Sequence, residues 1–296
     1  MNAKWTWVVV AMACACKPGA KGAGTSSAPV RTASVAGFQT PESVKWDSVQ
    51  DVYFVSNING APNAKDGNGY ISRVSPAGAI TDTAFIKGLN APKGLALVHD
   101  TLWVADIDQV RAFESRTGAP VATIPVPGAI FLNDIAAAPD GSLYVTDTAI
   151  RFAANGQVEH PGTDQIFRIG PDHKTSVAIK SDSLGRPNGI TWDAANQRFI
   201  VVPFGANTLV AWKPGESTVT KLETGAGQFD GVEITRDGAM WVTSWSDSSV
   251  YRYSGGQGSK LIEGVPSPAD IGYDARRNRI LVPIFTGNRV EIWQLQ

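Results

Sequence analysis

Glu42, Asn133, Asn188 and Asp230 stand in four stretches that otherwise look alike, "TPESVKWD", "LNDIAAAPD", "RPNGITWD" and "FDGVEITRD". Each supplies a carboxylate or amide oxygen just ahead of an alternating apolar run. Together they offer two formal negative charges and two neutral carbonyl oxygens. That set suits a hard divalent metal such as Ca2+, which takes roughly 6 to 8 oxygen ligands. Mg2+ and Mn2+ stay open, although Mg2+ prefers a more regular octahedron with more water. Zn2+ also stays open but is matched poorly, since neither Cys nor His belongs to the set. A plainer reading competes, because Asn or Asp before Gly also serves turns that need positive φ. For one stretch alone the turn is the simpler account; four oxygen donors at one register favour the cation.

The register comes from an internal repeat. Six segments recur, each a short strand, a polar turn and a second strand: "PESVKWDSVQDVYFVS", "PKGLALVHDTLWVAD", "LNDIAAAPDGSLYVTD", "PNGITWDAANQRFIVVP", "FDGVEITRDGAMWVTS" and "PADIGYDARRNRILVP". A third strand follows each, and all but the last unit then have a fourth. From Phe38 to Gln296 the units average roughly 43 residues, the length of a four-stranded propeller blade. The expectation is an all-β fold, a six-bladed β-propeller over residues 29–296. The sixth unit lacks its outer strand, which "PVRTASVAG" at 29–37 would supply, closing the ring and removing an open edge. Innermost strands then line a central channel. The ring position reads Glu42, Lys93, Asn133, Asn188, Asp230 and Ala269, with Asp270 beside the last. Lys93 breaks the pattern: its ammonium would bind an anionic substrate group or repel the cation, unless it is an ordinary solvated lysine at a turn.

Composition fits such a fold. The 296 residues are 43% hydrophobic and include 30 Gly and 18 Pro, enough for a sizeable core with many turns. With a net charge of -1 and no basic run interleaved with aromatics, nucleic acid is not an expected partner. The N-terminal "MNAKWTWVVVAMACAC" reads as a secretory signal over residues 1–16, followed by a Gly/Ser/Ala-rich linker at 17–28. "AMAC" and "ACAC" are loose matches to a bacterial lipobox, so Cys14 or Cys16 could carry a lipid; a plainly cleaved signal or an uncleaved anchor are the alternatives. The expected location is outside the cytoplasm, periplasmic or lipid-anchored in a bacterial envelope, with membrane contact only through that anchor. Cys14 and Cys16 are the only cysteines, so the folded part has neither a disulfide nor a thiolate site.

"TPESVKWD", "LNDIAAAPDGSLYVTD", "RPNGITWD" and "FDGVEITRDGAMWVTSW" resemble segments of the senescence-marker-protein, gluconolactonase and luciferin-regenerating-enzyme group of six-bladed propellers. The resemblance covers about residues 38–296 and extends to the paraoxonases and diisopropyl-fluorophosphatase. It implies a divalent metal at the channel mouth, held by Glu42, Asn133, Asn188 and Asp230, and hydrolysis of lactones, esters or organophosphates. A bound Ca2+ would then polarise a lactone carbonyl, Asp230 would accept the proton of the attacking water, and Glu42 would stay a pure ligand.

Two long loops, "NINGAPNAKDGNG" in the first unit and "DTAIRFAANGQVEHPGTDQ" in the third, would rise over the mouth as a lid. From the second, His160 or Arg151 could reach the pocket, against the plainer reading of surface decoration. The catalytic candidates are therefore Asp230, Lys93 and His160. Asp47, Asp100, Asp140, Asp193, Asp237 and Asp274 recur in the inner hairpins and read as turn formers on the opposite face. The expected partner is a small lactone or ester met by a monomer. The alternative is a non-catalytic exported propeller that binds a small ligand or an envelope protein.

Overall fold

The computed structural model describes Met1 and residues 28–153, 157–162 and 164–296. Nearly all of the leader and linker assigned to residues 1–28 lies outside the described residues. The rest forms six four-stranded antiparallel sheets. In the first blade the strands run from the axis outward as Pro41–Asp47, Val52–Asn57, Gly69–Val74 and Ile80–Leu89. The next four blades begin at Pro92–Val98, Leu132–Ala137, Pro187–Asp193 and Phe229–Ile234 and repeat the same order.

The sixth blade closes the ring as the repeat predicts. Its inner strands are Gly272–Asp274, Arg279–Ile284 and Arg289–Gln294, and its outermost strand is Val30–Ala36, paired antiparallel from Val30 against Gln294 to Ala36 against Arg289. The side chain of Arg31 reaches the buried Glu291 at 3.1 Å across this seam. Because this strand runs up the blade from the Gln294 end, the chain enters the propeller on one face and reaches the first inner strand on the other.

Burial explains the strand sequences. A second strand such as Leu143–Asp147 is covered on both faces by neighbouring blades and is buried at every position, whereas the outermost Thr175–Lys180 turns every exposed side chain to solvent. Among the described residues the core is accordingly divided into six apolar clusters, one between each pair of adjacent blades, with a small seventh of Ile58, Ala91 and Ile107. Phe54 and Ile71 of the first blade meet Leu95 and Val104 of the second, and Val44 and Val55 meet Leu281 and Ile292 across the closing seam. At the lower turns the recurring Asp does local work: Asp47 Oδ1 accepts the N–H of Val49 at 2.8 Å, and Asp140 and Asp237 accept from Ser142 and Ala239.

Asn188 and Gly189 do not form the turn that an Asn-Gly pair suggests, since both lie inside the strand Pro187–Asp193. The left-handed residue is Arg186, at φ 59°. Gly189 is needed for close approach instead: a Cβ there would sit 2.4 Å from Asp230 O and 3.0 Å from Gly231 Cα on the next inner strand. Both are backbone atoms that cannot yield cheaply, so Gly189→Ala should destabilise the fold by about 2–3 kcal/mol. Urea denaturation measures this directly.

Candidate functional site

Every full inner strand carries a one-residue bulge at the ring position. Between Pro41 and Val44 the inner strand advances three residues while its partner advances two, from Asn57 to Val55. The same slip occurs at Pro92/Leu95, Leu132/Ile135, Pro187/Ile190 and Phe229/Val232. Bulges re-aim side chains, and here the two consecutive bulge residues do different things. The first, Glu42, Lys93, Asn133, Asn188 or Asp230, lines one cavity of about 330 Å³ at the channel mouth. The second meets the neighbouring blade: Ser43 Oγ donates to Asp270 Oδ2 at 2.5 Å and Asp134 Oδ2 accepts the N–H of Ile190 at 2.7 Å, while Gly94, Gly189 and Gly231 let the backbones approach closely.

A bulge leaves a backbone N–H without a ladder partner, and in three of the five bulged blades a hydroxyl on the second strand satisfies it; Ala105 and Val202 stand there in the other two. Ser56, Thr146 and Thr243 accept from the N–H of Ser43, Asp134 and Gly231 at 2.8–2.9 Å. Thr146 and Thr243 also donate to Asn188 O and Ala269 O of the following blade, tying adjacent ring positions together. Just before the ring, Asp106 accepts the N–H groups of Asn90 and Ala91, and Asp147 those of Ile130 and Phe131. These positioning residues have a sequence signal that a search confined to first strands misses: a hydroxyl or acid closing the second strands "FVSN", "WVAD", "YVTD" and "WVTS".

The four oxygen donors are all buried, with Glu42 and Asn188 at 4% exposure. Three of their atoms have no hydrogen-bond partner: Glu42 Oε2, Asn133 Oδ1 and Asp230 Oδ1. Asn133 turns its Nδ2 to Thr148 Oγ1 at 3.0 Å, which leaves its carbonyl oxygen free. Buried acceptors aimed into a cavity without a donor are costly unless a cation or water meets them. Among the described residues no three or more His, Cys, Asp or Glu gather as a metal cluster. The donor set here is half amide, and its orphaned oxygens fit a hard divalent ion.

Burial and neighbouring charge shift the ionisable groups of the ring. Burial, then the carboxyls of Asp230 and Asp270, hold Glu42 well above the usual carboxylate range. Burial and then Asp270 do the same to Asp230, opposed by Trp245 and by the Asn188 amide beside it. Beneath the ring, burial pushes Asp134 up to about 7 despite backbone donors from Ile190 and Ile135. Burial draws Lys93 down to about 8 against the pull of Glu42 and Asp106. Lys93 is not a solvated surface lysine: it is 1% exposed, its Nζ donates to Ala91 O at 3.1 Å, and it lies 4.1 Å from the centre of the Phe131 ring. A divalent ion bound here would compete with protons for these carboxyls. Its apparent affinity, read as a rise in melting temperature with added Ca2+, should therefore strengthen from pH 5 to pH 7.5.

Apolar side chains form the cavity wall. Ile58 and Pro62 come from the first long loop, Phe131 precedes the third inner strand, and Phe204, Trp245 and Phe285 follow the second strands of the last three blades. The second long loop folds a small hairpin, Arg151–Phe152 against Val158–Glu159, and it contributes Ile150, Phe152 and Val158. His160 and Arg151 are not in the lining. Strand alternation turns Arg151 away between Ile150 and Phe152, and His160 Nε2 lies 2.6 Å from Asp164 Oδ1. Asp164 in turn accepts the N–H of Arg186, so His160 braces the segment ahead of Asn188.

Residues 40–272 match the SMP-30/gluconolactonase/LRE-like family. The chain belongs to that family. No curated protein matches its sequence. Among solved structures, it is similar to a gluconolactonase from Xanthomonas campestris (15% identity, 92% of this chain and 96% of that one covered, TM-score 0.69). It is also similar to a luciferin-regenerating enzyme (16% identity, 90% and 94% covered, TM-score 0.66). A virginiamycin B lyase from Staphylococcus aureus shares the fold as well (15% identity, 90% and 98% covered, TM-score 0.60). A lyase on the same propeller shows that the fold alone does not choose the reaction. Membership in the gluconolactonase-like family supports a hydrolase of the lactonase type.

Proposed function

We propose that this protein is a divalent-metal-dependent hydrolase of small lactones or related esters. Glu42, Asn133, Asn188 and Asp230 would hold the ion, with Ca2+ best matched to their oxygens. The orphaned Glu42 Oε2, Asn133 Oδ1 and Asp230 Oδ1 around one mouth carry this reading. When bound, the ion supplies Lewis-acid polarisation of the carbonyl.

The chain's own groups supply the rest. Asp230, buried beside the Asn188 amide, turns an unpartnered oxygen to the cavity and would take the proton of an attacking water. Lys93, fixed at the floor by Ala91 O and Phe131, is placed to hold the carboxylate formed as the ring or ester opens. The phenyl and indole walls keep bulk water from the floor, which strengthens each of these interactions. The sequence of residues 1–28 supports export and delivery to a small-molecule substrate outside the cytoplasm.

The test is hydrolysis of a panel of lactones and esters in the presence of chelator and after restoring Ca2+, followed by pH-stat titration. Activity that is lost on chelation and recovered with Ca2+ is the expected result. Undiminished turnover after exhaustive chelation would overturn the assignment. A Ca2+-dependent rise in melting temperature without turnover would favour a binding protein.

A further inference from the structure

The cavity separates its polarity by height. Its charged, amide and hydroxyl groups come from the inner strands and from Thr148, and several of their hydrogen bonds are already committed. Thr148 Oγ1 donates to Pro187 O at 2.8 Å and accepts from Asn133, and Lys93 donates to Ala91 O. The buried floor atoms without a partner, Glu42 Oε2, Asn133 Oδ1 and Asp230 Oδ1, are all acceptors. Above them the wall is hydrocarbon and aromatic ring. Phe204, Trp245 and Phe285 form a continuous arc with ring centres 5.7 and 5.4 Å apart, and Phe131 faces Phe152 at 6.1 Å on the other side. The wall side chains offer one unpaired hydrogen-bond donor, Trp245 Nε1.

Resting on the hydrolase reading above, we infer that the substrate carries an apolar arm, alkyl or aryl, on a single lactone or ester carbonyl, and that polyhydroxylated sugar lactones are poor substrates. The carbonyl reaches the floor, where the charged groups are. The arm lies against Phe152 and the Phe204–Trp245–Phe285 arc, replacing water on surfaces that gain nothing from it. A sugar lactone of similar size would press several hydroxyls against the same rings, with the Trp245 N–H to share among them. Each hydroxyl left without a partner loses the hydrogen bonds it had in water. Against one added hydroxyl an apolar pocket discriminates by no more than about 100-fold. The name borne by the gluconolactonase neighbour therefore does not carry its sugar over to this pocket.

The experiment compares kcat/KM for an alkyl γ-lactone and phenyl acetate with that for a sugar δ-lactone, in the full protein with Ca2+. The expected preference for the apolar substrates is about 100-fold, and Phe152→Ser and Phe285→Ser should narrow it to roughly tenfold. A preference for the sugar lactone overturns the inference while leaving the hydrolase reading intact. Calorimetric titration of the wild type with non-hydrolysable lactams covers the case in which variants misfold or nothing turns over. An alkyl lactam that binds with a negative heat-capacity change, at least tenfold tighter than a sugar lactam, supports the ligand class even if hydrolysis is absent. Equal binding of the two, or binding of neither, overturns it.

Discussion

Asp230→Asn is expected to lower kcat for lactone hydrolysis by about 100-fold or more while raising the melting temperature of the metal-free protein. The two effects have one origin. Asp230 is 5% exposed, its Oδ1 has no partner, and Asp270 crowds it with like charge. Its folded pKa is therefore raised above the unfolded value of 3.8. A raised acid helps the fold only below its unfolded pKa, and that help is lost as pH climbs toward the folded value. At pH 7.5 the wild type must therefore either protonate this carboxyl or bury its charge, and Asn does neither. The gain in melting temperature should be present at pH 7.5 and shrink toward pH 4. Added Ca2+ should raise the melting temperature of the wild type more than that of the variant. A variant that melts lower than wild type without metal, or that keeps full activity, would remove Asp230 from the proposed centre.

Removing the closing strand should be the most damaging truncation. A chain beginning at Phe38 loses the whole ladder from Val30–Gln294 to Ala36–Arg289, the packing of Ala33 and Val35 on the Val44–Ile292 cluster, and the Arg31–Glu291 contact. The loss amounts to several kcal/mol, which for a single domain of this size lowers the melting temperature by about 10 °C or more relative to a chain beginning at Pro29. It also bares Arg289–Gln294 as an unpaired edge, so the shortened protein should associate on size-exclusion chromatography. Equal melting temperatures for the two chains would mean that closure contributes little to stability.

The ring positions were legible because a blade is a unit of fixed length: once six segments align, Glu42, Asn133, Asn188 and Asp230 fall into one column without any knowledge of distance. What joins them was hidden. The bulge that aims each side chain is a mismatch in count between two strands, and neither strand shows it alone; the hydroxyls at Ser56, Thr146 and Thr243 trace it in three blades, and the second and fourth have none. The aromatic arc was equally hidden, because Phe204, Trp245 and Phe285 follow the second strands in connections that a strand alignment treats as filler. His160 illustrates the converse. Its loop was correctly assigned to the mouth, yet which side chains a two-residue hairpin turns inward depends on its register, and that register chose Ile150, Phe152 and Val158. Lys93 read as a misfit on charge alone; burial against Phe131 is a fact of packing that its column could not show.

Pro29 and Gln296 border the same hollow beside Arg236 and Asp237, at the end of the last blade farthest from Phe285 and the mouth. Both ends of the described chain thus leave from the base. A resin or a fused partner joined next to Pro29 or Gln296 would hold the propeller like a cup by its foot and leave the opening clear.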